Sequence, residues 1–321
     1  MLYDIYFHND FDGRASAAVM TAFLRSRGDD VGHFAAVDFD LQDQWMSERF
    51  FARHRLFAGR RNPAVVVDFF YHPAAAWWFD HHPTTFKKES WKKSYRPSRE
   101  RVLDPSYVSC TRLVFESLKK NFGWKPPRLI GDLVKRADIV DGARYRTPRE
   151  TIYLTTVETQ LDAFIDETRK NPATAQRMIE DFATKPLPMI AKQPRIARVV
   201  TKLRAKNMKA LAFYRRNLKI AGRVSVIDLE KANVETLRYA PYFLKPKIRY
   251  AIRITKKDGQ FHVGIGDNAW MKPGNVNLGA LLARFGGGGH WGAGAVNFTS
   301  RKAVDQAVPK MVEALNAAPH S

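Results

Sequence analysis

Residues 2–28, LYDIYFHNDFDGRASAAVMTAFLRSRG, contain the pattern that decides the fold. The apolar run Leu2–Phe7 predicts a strand, and apolar residues at helical spacing predict a helix over Arg14–Arg27, which Gly28 can end. The polar segment His8–Gly13 lies between them, at the carboxyl end of the predicted strand. A strand that leads through a short polar loop into a helix is typical of a parallel sheet with crossover helices.

The same pattern recurs further along the first half of the chain. Ala64–Val67 predicts a buried strand that ends at Asp68, and Trp77–Phe79 predicts another that ends at Asp80. We therefore expect residues 1–150 to form an N-terminal domain built on a parallel sheet.

Two further regions follow this domain. Residues 151–217 are helical and strongly basic, which predicts a helical connector. Residues 218–321 return to strand-like runs, and Asp258-Gly259 between two such runs indicates a hairpin. The predicted fold class is therefore α/β, with a parallel-sheet N-terminal domain, a helical connector and a smaller C-terminal domain of mixed sheet and helix.

Composition limits the class of protein. Hydrophobic residues make up 45% of the 321 residues and charged residues 26%, as in globular proteins. The sequence has no signal-peptide pattern and no run of 18 apolar residues, so we expect a cytoplasmic protein without a membrane span. Cys110 is the only cysteine, which excludes an internal disulfide and fits a reducing compartment.

The charge of the chain suggests an anionic partner. The sequence has 53 Lys and Arg against 32 Asp and Glu, a net charge of +21. Twelve basic and no acidic residues lie within 185–227, while 86–101 interleaves seven basic residues with Phe86, Trp91 and Tyr95. Because basic and aromatic groups together suit phosphates and bases, nucleic-acid binding through a basic surface is one interpretation. A solvated basic surface is the other.

Acidic and imidazole side chains follow each predicted strand of the first domain. Because the carboxyl ends of parallel strands meet at one edge of a sheet, these side chains are expected to lie close together. Oxygen and imidazole ligands without thiolates suit Mn²⁺ or Mg²⁺ better than structural zinc. The side chains concerned are His8, Asp10, Asp12, Asp68, Asp80, His81, His82 and, in a later segment, Asp141.

Five motifs in this chain resemble those of the DHH phosphoesterase family, in particular its NrnA-like and RecJ-like members. Four are N-terminal, namely HNDFDG at 8–13, VVVDFF at 65–70, DHH at 80–82 and IVDGARY at 139–145. The fifth, GGGGHWGAGA at 286–295, resembles the GGGH motif of the C-terminal domain associated with that family. The motifs stand in the expected order and cover nearly the whole chain.

The resemblance implies a site for two metal ions, usually manganese, with Mg²⁺ or Co²⁺ as alternatives. Four carboxylates would balance the charge of two divalent ions and leave a site able to accept an anionic phosphate. The implied ligands are Asp10 for the first metal, Asp12, His81 and Asp141 for the second, and Asp68 as the bridge between them, with His8 as a further candidate ligand.

The resemblance also implies the catalytic residues. His82 matches the histidine beside the scissile phosphate, and Asp80 would orient the imidazoles. Two alternatives stay open. His8 lies two residues before the first motif Asp, whereas many relatives have a spacing of four, so it either binds metal or supports a ligand. Asp138 competes with Asp141 for the fourth motif position.

The glycine-rich motif is the predicted substrate-binding element. Consecutive glycines allow a phosphate to approach backbone N–H groups closely. The preceding strand departs from the Ser-x-Arg-Ser pattern of known relatives, and Asn268 is expected to replace a lost polar contact. The predicted substrate-binding residues are Arg284, Gly287, Gly288, Gly289, His290 and Asn268.

The predicted activity is Mn-dependent hydrolysis of phosphoester bonds by a two-metal mechanism. Short oligonucleotides or small nucleotides are the expected substrates, as for a nanoRNase or another exonuclease. An exopolyphosphatase, a cyclic-dinucleotide phosphodiesterase and a non-catalytic nucleic-acid-binding protein are the alternatives. No membrane partner is expected, and a homodimer is left open.

Overall fold

A computed structural model describes residues 1–47, 49–53 and 62–318. Its strands, in chain order, are β1 (Leu2–His8), β2 (Asp30–Val37), β3 (Ala64–Val67), β4 (Trp77–Asp80), β5 (Arg101–Leu103), β6 (Lys219–Ala221), β7 (Val224–Asp228), β8 (Tyr250–Lys257), β9 (Gln260–Asp267), β10 (Gly288–Gly289) and β11 (Ala293–Phe298). Its helices are α1 (Phe11–Ser26), α2 (Gln42–Trp45), α3 (Phe50–Arg53), α4 (Glu89–Ser94), α5 (Cys110–Phe122), α6 (Arg128–Asp141), α7 (Pro148–Tyr153), α8 (Val157–Glu167), α9 (Pro172–Thr184), α10 (Leu187–Ala191), α11 (Pro194–Asn217), α12 (Ala240–Leu244), α13 (Leu278–Ala283) and α14 (Arg301–Ala317).

The chain divides into two compact units, each made of two stretches of sequence. Unit 1 comprises Met1–Arg144 and Thr156–Val200, and unit 2 comprises Tyr145–Thr155 and Thr201–Ser321. The predicted connector, 151–217, is therefore divided between the two units. The C-terminal residues 319–321 of the third predicted region lie outside the described residues.

Unit 1 contains a five-stranded parallel sheet in the order β2-β1-β3-β4-β5. The central strands β3 and β4 are buried along their whole length, as expected when both faces of a parallel sheet are covered. The carboxyl ends of β1, β3 and β4 therefore lie at the same edge. The predicted α/β class with an N-terminal parallel sheet is confirmed.

Helix α1 starts at the carboxyl end of β1 and is buried on most sides. Asp10 caps it, since its carboxylate accepts the Gly13 backbone N–H at 2.9 Å. The helix packs against the sheet and against α5, α6 and α9. Its Arg14 is fully buried, where Nε and Nη2 donate to Asn9 Oδ1 at 3.1 and 2.7 Å. These contacts hold the loop between β1 and α1 in one conformation.

Unit 2 contains a mixed six-stranded sheet in the order β10-β11-β9-β8-β7-β6. Strands β8 and β9 form the predicted hairpin, with Asp258 and Gly259 both at positive φ in the turn. Apolar side chains of α13 and α14 cover the sheet, including Leu282, Met311 and Leu315. The predicted C-terminal mixed α/β domain is confirmed.

Many residues of the basic segment 185–227 serve the fold itself. At least five of its twelve basic side chains bond within their own unit to carboxylates or to backbone carbonyls. The five engaged side chains are Lys185, Arg195, Arg204, Lys206 and Arg223.

Among the described residues, no helix is both long and apolar enough to cross a bilayer.

Candidate metal centre

The strand ends of unit 1 bring the predicted ligands together. Within each of three groups, one ligand atom per residue lies within 4.8 Å of the others. Because two groups share Asp68 and two share His81, the three form one continuous cluster. The groups are His8, Asp10 and Asp68; Asp12, His81 and Asp141; and Asp68, His81 and His82.

The first group is centred on His8 at the end of β1. His8 Nδ1 lies 2.9 Å from Asp10 Oδ2 and 3.7 Å from Asp68 Oδ2. The three residues offer one nitrogen and two oxygen atoms to a single point. The structure therefore places His8 in the cluster, in a position from which it could bind a metal ion.

The second group is centred on His81, which follows β4. His81 Nε2 lies 3.8 Å from Asp12 Oδ2 and 3.6 Å from Asp141 Oδ2. It also lies 3.7 Å from Asp68 Oδ1. Since Asp68 turns Oδ2 to the first group and Oδ1 to the second, it occupies the position that a bridging carboxylate requires.

The backbone at Asp68 is unusual. Its φ is +58°, in the left-handed region that residues other than glycine adopt uncommonly, with asparagine and aspartate the most frequent among them. Its N–H donates to Phe79 O at 3.0 Å, which fixes this turn beyond β3. The carboxylate is buried, and within the part of the chain that the structure describes Oδ1 has no hydrogen-bond partner. A buried polar atom without a partner is costly, so this oxygen is suited to a cation.

His81 is held in the form that binds metals. Its Nδ1 lies 3.1 Å from Tyr107 O, and a carbonyl oxygen can only accept, so Nδ1 carries the proton. In the neutral ring Nε2 then has a free lone pair directed at the carboxylates. Nε2 is buried, and none of the described residues forms a hydrogen bond with it. The oxygen and imidazole donors thus fit a pair of divalent cations.

Asp12 is fixed by the amino terminus of α5. One carboxylate oxygen accepts the Cys110 N–H at 2.6 Å, and the other accepts Thr111 N–H at 3.0 Å and Thr111 Oγ1 at 2.6 Å. Ser109 caps this helix, and Gly123 ends it. The free N–H groups of a helix start favour a negative charge.

Loss of the Thr111 hydroxyl should weaken metal binding. We expect Thr111→Val to lower Mn²⁺ affinity by roughly 10- to 100-fold, the usual effect of removing a group that orients a metal ligand. Thr111→Ser keeps the hydroxyl and serves as the control. Calorimetric titration with Mn²⁺ measures both, and equal affinities of the two variants would contradict the role of this hydrogen bond.

Two buried carboxylates of the cluster have raised pKa values. Burial raises the pKa of Asp68 well above its ordinary range, and the negative charges of Asp12 and Asp10 raise it further. Burial, and then the negative charges of Asp12, Asp68 and Asp10, raise the pKa of Asp141 to about 9. Asp68 and Asp141 therefore resist ionising beside the other carboxylates, and divalent cations would relieve that repulsion.

His82 and Asp80 form a pair beside the ligands. His82 Nδ1 donates to Asp80 Oδ1 at 2.8 Å, and the same oxygen accepts the backbone N–H groups of His81 and His82. Burial opposes protonation of His82, but the hydrogen bond and charge of Asp80 outweigh it and raise its pKa to about 9. Asp80 is fully buried, whereas the His82 side chain is 39% exposed.

The geometry separates Asp138 from Asp141. Asp138 accepts Ser109 Oγ at 2.7 Å and Arg112 Nε at 2.5 Å, so it ties α6 to α5. Asp141, at the end of α6, joins the ligand cluster instead. The structure favours Asp141 as the residue of the fourth motif.

Two residues near the centre were not predicted from the sequence. Asp38 Oδ1 lies 3.5 Å from His8 Nε2 and accepts Arg169 Nη2 at 2.8 Å. The Arg169 carbonyl accepts Asn9 Nδ2 at 2.8 Å. Asp38 directly follows β2, so recognising that strand would have identified it by the same strand-end argument.

The glycine-rich segment lies in unit 2. Its Gly288 and Gly289 pair with β11, and a Cβ at Gly287 would lie 2.4 Å from Ala295 O, so close strand packing requires glycine there. Arg284 and His290 are exposed, and their substrate-binding role stays a prediction.

Asn268 has a different environment from the one expected. It is 2% exposed, and its Nδ2 donates to the carbonyls of Pro246 and Ile248 at 3.2 and 2.8 Å. Its Oδ1 accepts the Trp270 N–H at 3.1 Å. These bonds favour a structural role for Asn268 over the predicted substrate contact.

Comparison with known proteins identifies the fold. A scan against protein-family models and a search of curated proteins found no match to the sequence. Among solved structures, a pGpG-specific phosphodiesterase, PggH, from Vibrio cholerae has a TM-score of 0.72 at 18% identity, over 99% of this chain and 100% of that one. An exopolyphosphatase-related protein from Bacteroides fragilis has a TM-score of 0.53 at 16% identity, over 98% and 93%.

Both similarities extend over nearly the full length of the chains compared. The chain therefore shares its fold with these two proteins, and in this chain that fold has a parallel sheet in unit 1 and a mixed sheet in unit 2.

Proposed function

We propose that this protein is a divalent-metal-dependent phosphodiesterase that hydrolyses phosphoester bonds of short oligonucleotides or small nucleotides. The observation that carries the proposal is the pair of ligand groups joined through the two oxygens of Asp68. Mn²⁺ is the proposed metal. The similarity of fold to a pGpG-specific phosphodiesterase supports the reaction class and a nucleotide substrate.

Each residue of the site has a definite task in this proposal. His8, Asp10, Asp12, Asp68, His81 and Asp141 would hold two divalent ions. Bound ions would supply charge neutralisation at the phosphate and lower the pKa of the attacking water.

His82 would stabilise negative charge on the phosphate or protonate the leaving oxygen. Its Nδ1 is bound to Asp80, so the ring keeps one orientation and Nε2 is the atom available for that task. Because this side chain is more exposed than His81, it is the imidazole that a substrate can reach. Arg284 and His290 of unit 2 are proposed as substrate contacts.

A polyphosphate substrate is the second candidate, which the similarity to an exopolyphosphatase-related protein favours. The binding-only alternative has less support. Basic side chains that it would need are already engaged within the fold, including Arg195 with Asp181 at 2.7 Å and Lys206 with Glu235 at 2.9 Å. Cytoplasmic location and a homodimer stay predictions.

Metal addition tests the proposal directly. We expect saturating Mn²⁺ to stabilise EDTA-treated protein by about 3 kcal/mol at a hundred times its Kd, and to be required for hydrolysis of a dinucleotide. Thermal unfolding and product analysis measure these two effects, with tripolyphosphate as the competing substrate.

Two variants on α6 make the test specific. Asp141→Asn removes a proposed ligand, whereas Asp132→Asn removes an exposed carboxylate from the same helix. The first should lose most of the Mn²⁺ effect and the second should keep it. Equal responses of the two variants, or hydrolysis that continues in EDTA, would refute the proposed site.

A further inference from the structure

An exposed aromatic ring lies beside the metal centre. Phe39 is 60% exposed, among the most exposed large hydrophobic side chains of the described residues. It opens a short 3₁₀ turn, Phe39–Leu41, which is separated from β2 by Asp38 alone. A single exposed apolar side chain is common on protein surfaces, so the case for a function of Phe39 rests on the groups that its ring contacts.

One side of the Phe39 ring rests on the site. Its centroid lies 5.0 Å from that of His8, 6.1 Å from Phe69 and 5.6 Å from Phe70. The two phenylalanines directly follow Asp68, the central carboxylate of the cluster. The ring is therefore supported from behind by residues of the metal centre, while its remaining surface faces solvent.

The turn that carries Phe39 is also anchored. Asp38, the preceding residue, accepts Arg169 Nη2 at 2.8 Å and lies 3.5 Å from His8 Nε2. On the neighbouring Phe70 the ammonium of Lys87 lies 4.1 Å from the ring centroid. A rigid ring with a cation nearby is the combination that binds bases and phosphates of single-stranded nucleic acids.

We propose that Phe39 is the stacking platform for a base of the substrate, next to the phosphate that is hydrolysed. This inference rests on the proposed function and narrows its substrate class to base-bearing nucleotides. Every nucleobase has a π face, so the platform accepts different bases and selects against polyphosphate, which has none. Among bases, the larger purines would cover more of the ring.

Substitution of Phe39 tests the stacking contact. Phe39→Leu keeps an apolar side chain on Phe69 and Phe70 but removes the π face, whereas Phe39→Trp restores and enlarges it. We expect Phe39→Leu to lower kcat/KM for a dinucleotide by roughly tenfold or more, and Phe39→Trp to keep it at or above the wild-type value. Met189→Ala alters another exposed apolar side chain of unit 1, 62% exposed, and should have no effect.

A second substrate, which lacks the bases, separates an effect on base stacking from an effect on hydrolysis itself. With an abasic dinucleotide of the same backbone, wild type and Phe39→Leu should have equal kcat/KM values. An unchanged kcat/KM of Phe39→Leu on the normal dinucleotide would overturn the platform while leaving the proposed function intact. An equal loss on both substrates would also overturn it, because the defect would then lie in the metal centre.

Failure of the proposed function gives a different result. If wild-type protein hydrolyses no phosphoester with Mn²⁺, the enzymatic proposal fails and the platform is judged by binding alone. Calorimetric titration with GMP then decides. Weaker binding by Phe39→Leu than by wild type and Met189→Ala supports the platform, and equal binding by all three rejects it.

Discussion

Asp68→Asn is expected to abolish Mn²⁺-dependent hydrolysis while leaving the fold intact. Removal of the charge that faces both ligand groups should lower kcat/KM by at least about a thousandfold, since a metal pair supplies several kcal/mol of transition-state stabilisation. Asparagine is the suitable replacement because it tolerates the left-handed backbone at this position, where φ is +58°. Kinetics with a dinucleotide and Mn²⁺ measure the loss.

The stability of the same variant should change in the opposite direction. Burial and neighbouring carboxylates raise the pKa of Asp68, so its ionised form is unfavourable in protein without cations. We therefore expect EDTA-treated Asp68→Asn to unfold at or above the wild-type temperature, and to gain little from Mn²⁺.

Asp258→Asn is the matched control for this variant. It makes the same substitution at another left-handed position, in the exposed hairpin turn of unit 2, and should change neither property. Mn²⁺-dependent turnover by Asp68→Asn at the level of this control would rule out the bridging role.

Gly13→Ala should destabilise unit 1 and disrupt the metal centre together. A Cβ at this position would lie 1.9 Å from His8 O and 2.7 Å from His8 C, and backbone atoms cannot move aside as a flexible side chain can. We expect a loss of about 3 kcal/mol in the free energy of unfolding, at the upper end of the usual cost of overpacking. Chemical denaturation measures it.

A second glycine of unit 1 provides the control. Gly131 lies within α6, and a Cβ there would meet no atom of the described residues within 4 Å. Gly131→Ala should therefore stabilise the protein by about 0.5–1 kcal/mol, because alanine loses less backbone entropy in a helix. If Gly13→Ala were as stable as Gly131→Ala and bound Mn²⁺ equally well, that result would contradict the close contact between the His8 backbone and Gly13 of α1.

The sequence predicted the buried strands better than the exposed one. Ala64–Val67 was found with its observed bounds, because a strand covered on both faces is a continuous apolar run. The edge strand β2, DVGHFAAV, was not predicted, since it is half-exposed and contains Gly, His and Asp without regular alternation. Phe39, Asp38 and the contact of Asp38 with Arg169 were missed for the same reason.

Motif order located the site, but tertiary contacts decide how each residue serves it. Asp138 and Asp141 lie one helical turn apart, and only the observed packing of α6 on α5 separates their roles. Asn268 was expected to contact substrate because its position in the chain suggested it. Its three bonds to the backbone could not be inferred from residue type or spacing.

The order in which the chain visits its two units limits how the protein can be dissected. It passes between them after Arg144, after Thr155 and again after Val200. Helix α7 therefore belongs to unit 2, where Asn207 donates to Ile152 O at 2.9 Å. No single proteolytic cut therefore separates the two units cleanly: a cut after Val200 leaves α7 attached to unit 1, and a fragment ending at residue 150 would lack α8 to α10 of unit 1.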